Sequence, residues 1–303
     1  MNQNTGENEP GKNANPSLEA SMGIDRGQNN MNATGDLEGG RGKRTRRFVR
    51  LLVCLILGPA AGSVAGATEG VVLLHGLCRT TKSMEKMEAA LSATGFVVEN
   101  IGYDSRHHSI AALSEQVMSD VASRARLREC SKIHFVTHSL GGLLVRSYLK
   151  RHDFERLGRV VMLAPPNQGS EVVDKIGSWY LFRKINGPAG SELGTADEST
   201  PNQLGPVGFE CGVIAGDRSI NWINSLMIAG KDDGKVSIER TKVEGMKDHR
   251  VLHVSHPFIM EDHEAIQTTI RFLRHGNFRE MGEDLRRFHS LGASGKPVWN
   301  HDT

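Results

Sequence analysis

The sequence predicts an α/β domain with a mostly parallel central sheet and helices on both faces. Two features carry that expectation. From residue 71 onward, short apolar runs alternate with longer segments of helical spacing, the pattern of a parallel sheet wrapped by its crossover helices. The apolar runs also stop abruptly at polar or glycine-containing turns, as buried strands of about four to eight residues do.

Taken in order, Val71-Val72-Leu73-Leu74 before His75-Gly76 reads as the first strand. Residues 83–93 have helical spacing and are closed by Gly95. GFVVENIGY, residues 95–103, is a second strand, and residues 109–128 a helix with Ile110, Leu113, Val117 and Val121 on one face. KIHFVTH (132–138) is a strand and LGGLLVRSYLKRH (140–152) a helix. RVVMLAPP (159–166) is a strand stopped by two prolines, ECGVIAG (210–216) a further strand, and RVLHVS (250–255) the last. Residues 263–275 form a closing helix, and no internal repeat is present. The interval from about 170 to 209 breaks the rhythm. It is rich in Gly, Ser, Thr and Pro but carries Trp179-Tyr180-Leu181-Phe182. It reads equally as a lid-like insertion over a site or as a long irregular loop whose aromatic cluster packs on the core.

Residues 1–42 are a polar leader with too few aliphatic clusters to bury surface, and disorder is expected there. Residues 43–67 combine a basic start, an apolar stretch from Leu51 to Leu57, a Gly-Pro break and a small-residue site after Ala67. That is the layout of a secretory signal peptide, and it falls short of the about 20 apolar residues of a membrane span. The two readings are a cleaved signal and a retained anchor. One exports the domain of residues 68–303 to the periplasm or medium; the other attaches it to the membrane through residues 51–67. Met22 and Met31 are alternative starts.

The 303 residues are enough for a large core. The formal net charge is +2, and much of the excess sits in the cluster from Arg41 to Arg50. The rest of the chain is not basic, which excludes a nucleic-acid-binding footprint. Cys54, Cys78, Cys130 and Cys211 show neither metal-type pairing nor a dense disulfide framework, although one bridge is compatible with them.

In open parallel sheets, chemistry gathers beyond the carboxyl ends of the strands. Those ends carry His75-Gly76-Leu77, then His138-Ser139-Leu140-Gly141, then Pro165-Pro166-Asn167-Gln168-Gly169-Ser170. Further on come Lys231-Asp232-Asp233-Gly234 and Ser255-His256-Pro257. A serine, an aspartate and a histidine in that order define the chain order of one nucleophile–acid–base triad. A serine hydroxyl is a weak nucleophile until a base takes its proton, and an acid must orient that base. His138 adjoins Ser139 and is expected to point away from it. His249 and His253 lie about 13 Å apart along a strand and cannot share a metal. His107-His108 reads as a surface pair, and His263 is a remaining rival for the base.

From about Val71 to Leu273 the chain resembles the α/β-hydrolases of lipase and esterase type, especially the small bacterial lipases. LLHGL, THSLGG, LAPPNQGS, DDGKVS and VSHPFI carry the likeness. The resemblance implies Ser139 as nucleophile, Asp233 as acid in preference to Asp232, and His256 as base. It also implies that the backbone N–H groups of Leu77 and Leu140 form the oxyanion hole. The APPNQGS loop is expected to border the acyl pocket, with Ser170 capping the helix that follows. The departure from the family pattern is Thr137, where G-x-S-x-G has glycine.

The expected activity is hydrolysis of a small-molecule or lipid ester, without a metal or organic cofactor. An acyltransferase or thioesterase on the same triad is the nearest alternative. A non-catalytic binding module of the same fold is the alternative from another class, with Thr137 as the one feature in its favour.

Overall fold

The computed structural model describes residues 67–220 and 222–279, and every structural statement below concerns these. The polar leader and the signal or anchor segment up to residue 66 lie outside the described residues.

Six strands form one sheet: β1 (Glu69–Leu74), β2 (Val97–Ile101), β3 (Lys132–His138), β4 (Leu157–Leu163), β5 (Cys211–Gly216) and β6 (Asp248–Leu252). They lie in the order β2-β1-β3-β4-β5-β6, and every pairing is parallel. The period of two along each strand sends apolar side chains to both faces. Val72 and Leu74 of β1, Phe135 of β3 and Met162 of β4 pack toward α2 (Ile110–Ser123) and α4 (Leu140–Leu149). Val71 and Leu73, Val136, and Val161 and Leu163 pack on the other face with α1 (Glu85–Ala93) and α10 (His263–His275). Burial on both sides explains why these strands are uninterrupted apolar runs. The chain leaves β1 toward one edge to form β2, then returns across β1 to form β3. That reversal, between β1 and β3, is where a doubly wound sheet opens a crevice.

Several bounds differ from the sequence reading by two or three residues at an end, as in β2, β4 and α4, and three further elements depart from it. The helix expected over 109–128 ends at Ser123, because Arg124 turns extended (ψ 110°); α3 (Ala125–Arg128) then buries Leu127. The last strand begins at Asp248, two residues early, and stops before His253. The interval 170–209 is helical rather than irregular, holding α5 (Glu171–Ile176), α6 (Tyr180–Ser191) and α7 (Thr200–Gln203). Its helices are short and α6 breaks at Gly187-Pro188, so the interval lacks a readable period. Gly187 has φ 64° and ψ −165°, and a Cβ there would lie 1.6 Å from the carbonyl oxygen of Arg106. Two more short helices, α8 (Trp222–Ser225) and α9 (Ile238–Thr241), flank the loop that carries Asp232 and Asp233. No helix among the described residues is long and apolar enough to cross a membrane.

The far end of the insertion is fastened by Arg146, a buried side chain of α4. Its guanidinium donates to the backbone and side-chain oxygens of Asn167, both at 3.0 Å, and to the carbonyls of Pro201 at 3.3 Å and Gly205 at 2.6 Å. Burial pulls its pKa down to about 10, which leaves it charged at neutral pH. Carbonyl dipoles, in place of a carboxylate, compensate this charge.

Cys78, Cys130 and Cys211 are all free thiols, so the bridge that the sequence permitted does not form among them. Helix α4 crosses β1 at Gly141, where a Cβ would lie 2.9 Å from the Leu74 carbonyl and 3.0 Å from that of His75. Both neighbours are backbone and cannot give way. Gly141→Ala is therefore expected to destabilise the fold by about 1–3 kcal/mol, read as a lowered urea midpoint at unchanged m-value.

Candidate active site

Ser139 stands between β3 and α4 in a conformation that L-residues avoid, φ 52° and ψ −118°. The buried strand holds the residue from below: its N–H donates to Leu163 O of β4 at 2.9 Å. The bend brings α4 close to the sheet, and that closeness needs Gly141 against β1 and Gly142 against β4. A Cβ on Gly142 would lie 3.2 Å from Met162 Sδ and 3.3 Å from Thr137 Oγ1. Thr137 is completely buried with its hydroxyl 3.5 Å from Val161 O. The bare backbone of Gly142 thus makes the room that the usual glycine at position 137 would have left. Cys78 (φ 56°) and Ala164 (φ 49°) share the positive φ of Ser139. These three follow β1, β3 and β4, so the strain is concentrated at one end of the central strands.

The structure brings Ser139, His256 and Asp233 together. His256 Nε2 is 3.1 Å from Ser139 Oγ, and its Nδ1 is 2.8 Å from Asp233 Oδ2. The His256 N–H also donates to the Asp233 carbonyl at 2.9 Å, which ties the two loops through backbone. Asp233 is wholly buried; its Oδ1 accepts the N–H groups of Lys235 (3.0 Å) and Val236 (2.9 Å). These donors fix the carboxylate so that Oδ2 faces the imidazole. Asp232 points elsewhere: its Oδ1 accepts from the Gly234 N–H at 2.7 Å and the Ser225 hydroxyl at 2.8 Å, holding the turn.

His138 does turn away from Ser139. It is buried beneath His256, and its Nε2–H donates to the His256 carbonyl at 3.0 Å. Burial, and then the positive potential of His256, Arg79 and Lys235, hold its pKa well below the ordinary 6.5. This supporting role left no mark in the sequence. Nor did Tyr103, which lies flat on His75 with centroids 4.2 Å apart and donates its hydroxyl to the His75 carbonyl at 2.5 Å. The Tyr103 N–H donates to His75 Nε2 at 3.3 Å, while His75 Nδ1–H donates to Gly76 O at 2.9 Å. The turn before Leu77 is held by these contacts. Leu140 opens α4, so no helical carbonyl is available to its N–H; Leu77 lines the same cavity as Ser139.

That cavity measures about 190 Å³. Val172, Val173, Ile176, Phe182 and Leu193, all from the insertion, supply apolar lining, and Arg79, Lys235, Asn186 and Asn224 add polar groups to those of Ser139, His138 and His256. Pro166 and Ser170 border it, as the APPNQGS loop was expected to. Ser170 occupies the N-cap position of α5 without capping it, because its hydroxyl donates to Lys235 O at 2.7 Å instead. His253 is exposed and pairs with Asp217 at 2.8 Å; His249 Nε2 meets the Thr241 hydroxyl at 3.1 Å. Among the described residues, no cluster of three or more His, Cys, Asp or Glu is arranged to hold a metal ion.

The sequence model of the palmitoyl protein thioesterase family matches residues 70–199, fewer than half of the 303. The match includes Ser139 but neither Asp233 nor His256. No curated protein matches the sequence. Among solved structures, the mature form of a lipase from Bacillus licheniformis is 17% identical with a TM-score of 0.52, covering 69% of this chain and 93% of that one. A phospholipase from Legionella pneumophila, solved with thio-NAD, is 16% identical with a TM-score of 0.52, covering 73% of this chain and 64% of its own. With its six parallel strands and covering helices, this chain has the α/β-hydrolase fold.

Three buried histidines titrate against folding. His75, His134 and His138 all have pKa values lowered from 6.5, in each case chiefly by burial. Below pH 6.5 the unfolded chain takes up protons that the folded chain refuses. The stability these groups contribute is full above that pH and is lost as pH falls toward their folded values. The urea midpoint is expected to drop between pH 7 and pH 5.5, each group contributing a slope of up to about 1.4 kcal/mol per pH unit. A midpoint that stays level across that range would contradict this account.

Proposed function

We propose that this chain is a serine hydrolase that cleaves acyl esters through an acyl-enzyme on Ser139. The observation that carries the reading is the buried, unbroken hydrogen-bonded chain from Ser139 through His256 to Asp233. His256 Nε2 takes the hydroxyl proton as Ser139 Oγ attacks the carbonyl carbon. Asp233 keeps the imidazole in the tautomer with its proton on Nδ1 and stabilises the imidazolium that results. The N–H groups of Leu140 and Leu77 receive the negative charge that develops on the carbonyl oxygen. His256 then returns the proton to the leaving group, and a water activated by the same nitrogen releases the acid.

The insertion acts as the acyl-side wall and as a lid. In α6, Phe182 and Asn186 line the cavity one helical turn apart, while Tyr180, Leu181 and Ile185, with Trp179 just before the helix, present apolar surface outward. An apolar acyl group in a lipid ester is the substrate this wall favours. Thioester cleavage is the second reading, favoured by the family match across the nucleophile segment. Residues 43–67 are proposed to export the domain or anchor it to the membrane.

A fluorophosphonate probe tests the central claim. It should label the wild-type protein and leave Ser139→Ala unlabelled. Asp233→Asn should lower kcat on p-nitrophenyl esters by about three to four orders of magnitude, and Asp232→Asn by less than about tenfold. Labelling that survives in Ser139→Ala would assign the nucleophile elsewhere. On an ester series of rising chain length, Phe182→Ala is expected to lower kcat/KM for long acyl groups by about tenfold and to change short ones by less than about threefold. Equal losses across the series would remove the insertion from substrate binding.

A further inference from the structure

The cavity is chemically divided, and the division follows the direction of the reaction. Its apolar wall comes from α5, α6 and the residues after them. Of its two cations, Lys235 comes from the loop that carries the acid, and Arg79 from the turn after β1, where it reaches the loop that carries the base. The Arg79 guanidinium donates to the carbonyl of Pro257, next to His256, at 3.4 Å. Lys235 follows Asp233 by two residues, and its own N–H is one of the donors to that carboxylate. The group leaving the tetrahedral intermediate must face the nitrogen that protonates it, which is His256 Nε2. The Pro257 contact sets Arg79 beside the base, on the alcohol or thiol side of the scissile bond, and Lys235 lines the same cavity.

Neither cation has a carboxylate in contact among the described residues, and Asp233, whose charge acts on Lys235, is already committed to His256. Among the described residues, Arg124, Arg151, Arg159 and Arg240 each contact a carboxylate within 3.1 Å. Arg79 and Lys235 form no such pair, and no Asp or Glu lines the cavity. The field of the two reaches inward far enough to act on His138. Two like charges held together at the mouth of a mainly apolar cavity repel each other, a cost that a bound anion removes.

Resting on the serine hydrolase reading, we infer that Arg79 and Lys235 select substrates whose leaving group is anionic: acyl esters or thioesters in which a phosphate or carboxylate lies close to the scissile bond. The acyl chain occupies the insertion side and the anion sits between the two cations. They are specificity-determining residues and take no part in proton transfer.

The test compares three esters of one fatty acid: the neutral monoacylglycerol, the monoacylglycerol phosphate and the O-acyl lactate. With the full-length protein, kcat/KM for an anionic ester should exceed that for the neutral one by about tenfold or more, mostly through KM. The ratio should shrink as salt rises from about 50 mM to about 0.5 M. Preference for both anions assigns recognition to charge; preference for one identifies the anion. In Arg79→Gln/Lys235→Gln the ratio should fall to about one, and Arg79→Lys should restore part of it in the Lys235 background. Fluorophosphonate labelling of Ser139 reports in the same samples whether each variant is folded and active. If the double variant is lost to misfolding, the salt dependence of the wild-type ratio decides. A wild-type ratio at or below one with labelling intact overturns this inference and leaves the hydrolase reading standing. Absence of both labelling and hydrolysis overturns the two together.

Discussion

The strained backbone of Ser139 is the constraint around which the rest of this domain is arranged. A non-glycine residue held at φ 52° and ψ −118° costs on the order of 1–3 kcal/mol and persists only where its surroundings leave no alternative. Here the surroundings are a strand hydrogen-bonded on both sides and a helix pressed onto it through two consecutive glycines. Relaxing the elbow would mean lifting α4 away from β1 and β4 and opening the core it covers. The side chain is thereby carried clear of the sheet, at the point where strand order reverses. What can approach it comes from the neighbouring strand ends: the turn after β1, the aspartate loop after β5 and the histidine loop after β6.

Polar groups buried at that edge are satisfied in a way that keeps charge scarce. His75 and His138 are neutral and spend their N–H groups on backbone carbonyls. Asp233 accepts two backbone N–H bonds and one from the imidazole, so its charge is spread over donors that do not move. A satisfied network of this kind is rigid, and in a low-dielectric setting each bond is stronger than it would be in water. Positive charge is held back from this inner layer and placed at the mouth, on Arg79 and Lys235. The protein thus separates the groups that move protons from the groups that attract a partner.

Much of this was legible in the sequence because the physics involved is local. β3 and α10 carry runs or periods that fix their bounds to the residue. Ser139 and His256 could be picked out because each lies just past a strand-like run, where a parallel sheet delivers its functional groups, and Asp233 because it stands in the next polar turn after such a run. What escaped depends on contacts distant in sequence. The helices of the insertion are too short and too interrupted to show a period, and α6 breaks where Gly187 folds against Arg106, 81 residues earlier. The tolerance of Thr137 follows from the missing side chain at Gly142, five residues on across the elbow, a pairing that no single motif records. Ser170 looked like a helix cap by position, yet its hydroxyl found Lys235, 65 residues on. Arg79 and Lys235, 156 residues apart in the sequence, come to line one cavity only through the fold.

The buried guanidinium of Arg146 makes the nucleophile helix and the far half of the insertion one mechanical body. Gly187, wedged against Arg106, pins the middle of the insertion as well. Between that pin and α5, the stretch 178–186 is the portion free of both clamps, and it carries the cavity-facing Phe182 and Asn186. Such a stretch behaves as a replaceable cassette: exchanging it re-cuts the acyl wall while leaving the anchored frame, and the serine at its centre, in place. Diversification of chain-length preference, by laboratory selection or by descent, has its least costly route there.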